Sequence, residues 1–511
     1  MKLGKEAVVA GRFPGDFSIP EVRLFELPEK VLQFGTGVLL RGLPDFYIDK
    51  ANKQNVFNGR IVVVKSTGLD VDGFAEQDGL YTQCIQGIIN GNPVEEYVIN
   101  ASISKVLSAR SNWNEILHYA ESAGMQIILS NTTEVGIVLK KDDDIYAAPP
   151  ESFPAKLLAF LYHRFQYFNG SEESGMVVIP TELIVDNGTK LKDIVLELAV
   201  INKLDKKFIN WLTEANDFCN SLVDRIVPGA LKKQAQKTFE ERAGYTDKLT
   251  IMSEPYSLWA IESSSGKTKE ILSFYKVDDS VIITPDINKY RELKLRLLNA
   301  THTFSCGLAF LAGFDLVVQS MQENYFSTFI KELMMEEIAS CITGSAISMD
   351  EAISFAKTVI DRFGNPYIEH KWLSITMQYS AKIKMRTVPL LFAWYQRHHK
   401  IPVHMAAGFA AYILFMKPVV NEGNNYFGIH NGVKYKIEDD KAAYFYDVWQ
   451  QHPGDKIVES ILSDKNLWGD DLSLLNGFMA TVQYFLNQFC RHEFKYVITR
   501  LSQGNKIQYE A

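Results

Sequence analysis

Val31-Leu32-Gln33-Phe34-Gly35-Thr36-Gly37-Val38-Leu39-Leu40-Arg41-Gly42 runs a short apolar segment into a pair of glycines and then into a helix start. A strand, a tight turn and a helix in that order bring backbone N–H groups close to a phosphate, and the helix N-terminus favours its charge. Gly35 and Gly37 fill two positions of the fingerprint that holds a dinucleotide's pyrophosphate, with Leu39 just beyond them. The third glycine belongs at position 40, where this chain has Leu40. The same spelling serves any strand–helix junction that needs positive φ at a glycine. Pro44 must sit in or near the first turn of the next helix, or kink it.

Further apolar runs repeat the pattern at Arg60–Lys65, Gln126–Ser130 and Met176–Pro180, and less regularly at Ser280–Thr284. Each precedes Gly, Asn or Asp and an amphipathic stretch, a βαβ rhythm. Near-continuous hydrophobicity predicts strands covered on both faces, as in a parallel sheet between helices. From about Pro285 long segments at helical spacing take over, at 289–312, 322–341, 349–363, 368–385 and 404–416. Pro285 disfavours helix at the residue before it, and Asp286 offers a cap for the first of those helices. The expectation is an α/β chain of two domains. Residues 1–285 form a Rossmann-type parallel-sheet domain, and residues 286–511 form a mainly α-helical one. A length of 511 residues with 47% hydrophobic content suits that division.

A net charge of −8, without a block of Lys or Arg, argues against a nucleic-acid surface. Cys84, Cys219, Cys306, Cys341 and Cys490 are scattered, with no CxxC and no metal-ligand spacing, which fits a reduced cytosol and no bound metal. The apolar run Ala7–Ala10 is too short for a signal peptide, and Leu308–Val318 is broken by Asp315, so no export or membrane segment is expected.

If the glycine turn holds a dinucleotide, the residue that meets the adenosine ribose belongs at the end of the second strand. Val62-Val63-Val64 ends in Lys65-Ser66, and the first acids are Asp70 and Asp72. An acid at that place selects NAD through the ribose hydroxyls, whereas a cation welcomes the 2′-phosphate of NADP. Lys65 also suits a solvated strand end.

Lys294, Asn299 and His302, within KLRLLNATH, carry groups that can reduce a ketone without a metal. At about 100° per residue the three fall at roughly 0°, 140° and 80° around an α-helix, so they share one half of it. Lysine exchanges a proton readily when buried, an amide donates to an incipient alkoxide, and an imidazole holds a neighbouring hydroxyl. Leu295, Leu297 and Leu298 predict a largely buried helix. The plainer reading has Lys294 snorkelling to solvent while Asn299 and His302 satisfy backbone groups.

Eight ordered segments resemble the long-chain mannitol dehydrogenase family of polyol-specific dehydrogenases: QFGTGVLLRG (33–42), QDGLYT (77–82), SNTTEVGI (130–137), PTELIVDNG (180–188), LVDRIVP (222–228), EPYSLW (254–259), KLRLLNATHT (294–303) and RFGNPYIEH (362–370). SNTTEVGI and PTELIVDNG are similar to the branch that reduces tagaturonate to altronate. The resemblance implies an NAD-dependent, zinc-independent hydride transfer on a small sugar acid. It makes Lys294 the acid/base, Asn187 and Asn299 an oxyanion hole, and His302 a binder of substrate hydroxyls. Gly35 and Gly37 would lie under the pyrophosphate, and Asn131 and Thr132 would face the nicotinamide half. Without it, Asn131-Thr132 is an Asx or helix-cap turn and Asn187-Gly188 a type I′ turn.

Some relatives carry an acid on a proton path three residues before the lysine; here Arg291 holds that place, with Glu292 beside it. Asp224 bears on the substrate, or forms a buried brace with Arg225. A sugar acid needs a cation, and Lys382, Lys384 and Arg386 offer three on one helical segment, Arg386 with bidentate geometry. A solvated basic face explains the same residues. Alcohol oxidation needs Lys294 neutral, and burial together with the positive nicotinamide is expected to depress its pKa, so oxidation should quicken as pH rises. Alternatives are a sibling acting on mannonate and fructuronate or on a neutral hexitol, and a non-catalytic NADH-sensing scaffold. Lys294, Asn299, His302 and Asn187 together speak against the last.

Overall fold

The computed structural model describes residues 1–66, 72–132, 136–452 and 454–502. Asp70, and positions 133–135 of SNTTEVGI, lie outside the described residues. The chain divides into two compact units, Met1–Gly87 with Pro93–Ile287, and Ile88–Asn92 with Asn288–Ala511.

In the first unit six strands form an all-parallel sheet: β1 (Glu29–Phe34), β2 (Arg60–Lys65), β3 (Ile103–Ser108), β4 (Ile127–Ser130), β5 (Val177–Pro180) and β6 (Asp217–Phe218). Their order is β3-β2-β1-β4-β5-β6. The helices that concern the site are α1 (Val38–Gly42), α2 (Pro44–Lys53), α3 (Phe153–Tyr167) and α4 (Asn187–Ile201). Strand side chains alternate between two buried faces. Leu32, Phe34, Val62, Val64, Ile128 and Val178 pack with Leu157 and Leu161 of α3 and with Leu191 and Val195 of α4. Val31, Ile61, Val63, Ile127 and Leu129 pack on the other side with Tyr47 and Ile48 of α2 and with Trp259. Cover on both faces is why these runs read as continuously apolar. The chain lays down β1, β2 and β3 in one direction, then returns to build β4, β5 and β6 in the other. The reversal between β1 and β4 opens a crevice at their carboxyl ends, the place where doubly wound Rossmann-type sheets hold ligands.

One expected strand goes elsewhere. Val281–Thr284 pairs with Leu258–Glu262 in a separate three-stranded sheet that includes Ser221–Asp224. Only Val281 of its four residues is fully buried, as suits an edge strand rather than a strand enclosed between helices. A four-stranded sheet of Phe17–Ser18, Asn92–Asn100, Tyr81–Ile89 and Ile251–Ser253 escaped the sequence reading. Interspersed polar residues such as Gln83, Gln86, Glu95 and Glu96 mask its strands.

The second unit is mainly helical around one core. α5 (Thr301–Leu311) packs on α6 (Val403–Phe415), which packs in turn on Phe478–Arg491. The first crossing needs Gly408, because a Cβ there would meet the Phe304 carbonyl oxygen at 2.7 Å. The segment predicted at 289–312 is helical but not uniform: Asn288–Leu293 is α, Lys294–Ala300 is π, and α5 completes it. Further π turns lie at Leu333–Ile338 and Ile383–Thr387. The helix expected at 368–385 is broken into Trp372–Ile375, Tyr379–Lys382 and the last π turn, with Gln378 in the left-handed region (φ 51°) between the first two. An antiparallel meander, Val420–Glu422, Asn425–His430 and Val433–Lys436, interrupts the helices. No helix among the described residues is long and apolar enough to cross a membrane.

Candidate active site

The candidate residues of the first unit gather at the carboxyl ends of its parallel strands. Gly35 has φ +128°, and a Cβ on it would lie 2.9 Å from the Asn131 carbonyl oxygen and 3.0 Å from Leu40 Cδ1. Both its backbone conformation and its surroundings therefore require glycine. Its N–H donates to the Val64 carbonyl at 3.0 Å, tying the turn to β2. Gly37, with φ −61°, would bring a Cβ within 4 Å of nothing, so that flank of the turn is open. Leu40, in place of the third glycine, is fully buried against Gly35. Leu39 is half-buried at the edge of the sheet's core. α1 ends after five residues, and Pro44 opens α2 as its first residue, where its missing N–H costs nothing.

Asn131 and Thr132 come directly after β4, next to the glycine turn. The Asn131 N–H donates to the Phe34 carbonyl at 3.2 Å, and its Nδ2 donates to the carbonyl and hydroxyl oxygens of Thr181, each at 3.0 Å. The Thr132 N–H and Oγ1 both donate to Glu182 Oε1, at 2.9 and 3.0 Å, while Ser130 Oγ donates to Oε2 at 3.1 Å. Glu182, only 3% exposed, organises the whole turn. The sequence reading gave it no role; its signal is an acid placed two residues beyond a fully buried strand. Lys65 ends β2, half-buried. Asp224 ends Ser221–Asp224 and is buried. Its neighbour Arg225 is a brace, donating from Nε to the Glu254 carbonyl at 2.9 Å and from Nη1 to the Gly42 carbonyl, at the end of α1, at 2.8 Å.

Asn187 is neither in a type I′ turn nor free to donate. It opens α4, after Asp186 in the left-handed region. Its Nδ2 donates to the carbonyls of Pro180, Glu182 and Ser221 at 3.0, 3.0 and 3.1 Å. Its Oδ1 accepts from the N–H groups of Gly188 and Ser221 at 2.9 and 2.8 Å. An oxyanion would have to displace one of these bonds. As placed, the residue ties the start of α4 to the ends of two strands.

In the second unit, the π turn changes the geometry expected for Lys294 and Asn299. Its i→i+5 hydrogen bonding widens the turn, so residues five apart lie closer together around the axis than on an α-helix. Both are half-buried, while Leu297 and Leu298 enter the core. The helix is thus amphipathic, not enclosed. His302, at the start of α5, is buried; it stacks on Phe363 (centroids 4.2 Å apart) and meets His370 and Trp372 edge-on at 5.1 and 5.8 Å. Burial, and then His370 and the cations Arg362, Arg386 and Lys382, push its pKa well below the ordinary histidine value, and burial lowers that of His370 as well. At neutral pH the His302 ring is uncharged, and its enclosed Nε2 has no hydrogen-bond partner among the described residues.

Of the three cations proposed for a carboxylate, Lys382 and Arg386 bear on His302; Lys384 is exposed. Lys382 Nζ donates to the Ile375 carbonyl at 2.8 Å, and burial followed by Arg386 lowers its pKa. Arg386 Nη1 donates to Thr303 Oγ1 at 3.4 Å. Arg362 and His370, both inside RFGNPYIEH, were not assigned from sequence. The sequence places them eight residues apart on segments whose meeting with α5 it does not disclose. The unit therefore presents an amine, a carboxamide and a neutral imidazole that feels the charge of Arg362, Arg386 and Lys382. That set can exchange a proton with a polyhydroxy compound, stabilise its oxygen and attract an acid group.

Residues 29–272 match the family profile described as the mannitol dehydrogenase Rossmann domain, and residues 286–490 that of the mannitol dehydrogenase C-terminal domain. An altronate oxidoreductase of Halalkalibacterium halodurans is 35% identical over 495 residues, covering 94% of this chain and 96% of that protein. One from Bacillus subtilis is 37% identical over 467 residues, covering 90% and 93%. Among solved structures, Pseudomonas fluorescens mannitol 2-dehydrogenase, in ternary complex with NAD and D-mannitol, superposes with a TM-score of 0.67 at 20% identity, covering 99% of this chain and all of that one. D-sorbitol dehydrogenase in substrate-free form gives 0.75 at 17% identity, covering 98% and 100%. At these identities the two structures carry the fold alone.

Proposed function

The chain belongs to the mannitol dehydrogenase family, and from that premise we propose that it is an NAD-dependent oxidoreductase interconverting tagaturonate and altronate, with Lys294 as general acid and base. The observation that carries the reading to a sugar acid is the set of cations, Arg362, Arg386 and Lys382, whose charge bears on the neutral His302. A neutral hexitol has no group for that charge to meet, whereas a carboxylate does. The names of the full-length relatives support the same choice.

The glycine turn fits a dinucleotide. It lies at the topological switch point, it leaves the flank of Gly37 open, and Asn131 and Thr132 are held beside it by Thr181 and Glu182. Gly35, Gly37 and Leu39 would line the pyrophosphate, Lys65 the adenosine ribose, and Asn131 and Thr132 the nicotinamide half. When bound, the nicotinamide accepts a hydride from altronate or gives one to tagaturonate. Lys294 takes the hydroxyl proton during oxidation and returns it to the carbonyl oxygen during reduction. Asn299 donates to that oxygen as charge builds on it, contributing about 3 kcal/mol to the barrier. Neutral His302 exchanges hydrogen bonds with a substrate hydroxyl, and Arg386 with Lys382 takes the carboxylate. Asn187, with its amide committed to the backbone, acts by positioning.

The test is a matrix of altronate, mannonate and mannitol against NAD and NADP, with altronate and NAD the expected pair. Turnover of mannitol with none of altronate would overturn the reading. Lys294→Ala should lower kcat by about 10²–10⁴. Because oxidation needs a base to take the hydroxyl proton, the wild-type rate is expected to rise with pH. A variant that kept the same pH-dependent rise would place the acid/base role on another group.

A further inference from the structure

The Lys294–Ala300 and Ile383–Thr387 π turns hold each other through an exchange of arginines. Arg296, on the first turn, has a side chain only 13% exposed. Its Nη1 donates to the carbonyls of Met385 and Arg386, at 3.1 and 2.9 Å, on the second. Its Nε is aligned by Glu292 Oε2, four residues earlier, at 3.0 Å. In the other direction, Arg386 Nη1 donates to Thr303 Oγ1 at 3.4 Å, and that hydroxyl donates to the Asn299 carbonyl at 2.7 Å. One arginine thus fixes the backbone that carries the carboxylate-binding cation, and that cation is tied back to the backbone of the oxyanion donor. Glu292, beside the place where some relatives carry a proton-path acid, is here engaged in orienting Arg296.

We propose that Arg296 is a positioning residue that sets the separation between the Lys294–Asn299 pair and the Arg386 guanidinium, making the site selective for an acid whose carboxylate lies a fixed number of carbons from the reacting one. The inference rests on the reading of Arg386 as the carboxylate partner. Arg296 itself touches neither substrate nor cofactor. It acts by where it holds residues 385 and 386. A lysine could reach one of the two carbonyls but not present the rigid fork that serves both carbonyls and Glu292 at once.

The experiment compares Arg296→Met, which keeps the stem and removes the donors, with Arg296→Lys. The expected result for Arg296→Met is a KM for altronate raised about tenfold or more, with kcat changed less than about threefold and NADH affinity unchanged; Arg296→Lys recovers part of the KM. Hydrogen exchange of the amides from 384 to 388, measured without ligand, should quicken in Arg296→Met. An unchanged KM would overturn the proposal, as would a fall in kcat alone or unchanged exchange. The exchange measurement needs no substrate. If the wild-type protein fails to oxidise altronate, the functional reading falls on its own, and exchange still decides whether Arg296 holds the second turn.

Discussion

Both protons on Asn187 Nδ2 are taken by backbone carbonyls, whereas Asn299 is half-buried beside Lys294 and forms no side-chain hydrogen bond among the described residues. The family resemblance pairs the two amides as an oxyanion hole. What separates them is who already holds their protons, and residue type does not disclose that. Asn187→Ala strips donors from the carbonyls of Pro180 at the end of β5, Glu182 just beyond it and Ser221 at the start of a strand in the separate three-stranded sheet; each group left unpaired costs about 1–3 kcal/mol. Its unfolding midpoint should drop, with activity falling only in step with the folded fraction. Asn299→Ala should unfold like the wild type and lose about 10²–10³ in kcat. Thermal unfolding with steady-state kinetics on both variants checks this. If Asn187→Ala keeps its midpoint yet loses kcat as Asn299→Ala does, its amide reaches the reacting oxygen after a rearrangement.

Helices of the second unit were legible from apolar spacing because burial of one face is what that spacing records. The π turns were not. Leu297, Leu298 and Phe304 are all buried across the π turn and the helix that follows it, so their spacing reads as helix without disclosing which kind. The one at Leu333–Ile338 shows what such a turn can serve. It carries Glu337, whose Oε1 accepts from the His404 N–H and whose Oε2 accepts from the Met405 N–H, both at 2.9 Å, at the start of α6. The His404 ring lies between Glu337 and Glu332, each 3.0 Å from one ring nitrogen. Only the imidazolium can donate to both. Burial opposes its charge, and the two carboxylates more than reverse that, lifting its pKa from 6.5 to about 9. A raised histidine pKa stabilises fully below the unfolded value and is lost as pH climbs through the folded one. The second unit should therefore hold its stability up to about pH 6.5 and lose on the order of 3 kcal/mol as pH passes about 9. Urea unfolding across that range measures the slope, and His404→Gln should flatten it. An unchanged slope in the variant would assign the pH dependence to other groups.

At the scale of the whole chain, four of the six strands of the parallel sheet were legible because cover on two faces writes near-continuous apolar runs in β1, β2, β4 and β5, whereas β3, with Ser104 and Lys105, and the two-residue β6 carry no such run. The sheets with one solvated or polar-lined face were not, since Gln83, Gln86 and Glu95 dilute their signal. The glycine turn was legible as a turn, but only the order of strands around it makes it a ligand site. That claim has a clean test, because Gly37 is a glycine the unliganded protein does not need. Its φ of −61° suits any residue, and a Cβ there meets nothing within 4 Å. Gly37→Ala should therefore unfold at or slightly above the wild-type temperature, the lost freedom of the unfolded chain being worth about 0.4–1 kcal/mol. Gly35→Ala, strained at φ +128° and crowded by Asn131, should unfold at a lower one. If the pyrophosphate passes against the open flank, the added methyl of Gly37→Ala occupies the space the ligand needs. NADH at about 100 times its wild-type Kd should stabilise the wild type by roughly 2.7 kcal/mol and the variant by little. Fluorescence titration gives the affinities, and thermal unfolding with and without NADH gives the shifts. Wild-type affinity in Gly37→Ala would mean that the dinucleotide does not lie on this flank, however well the strand order suits it.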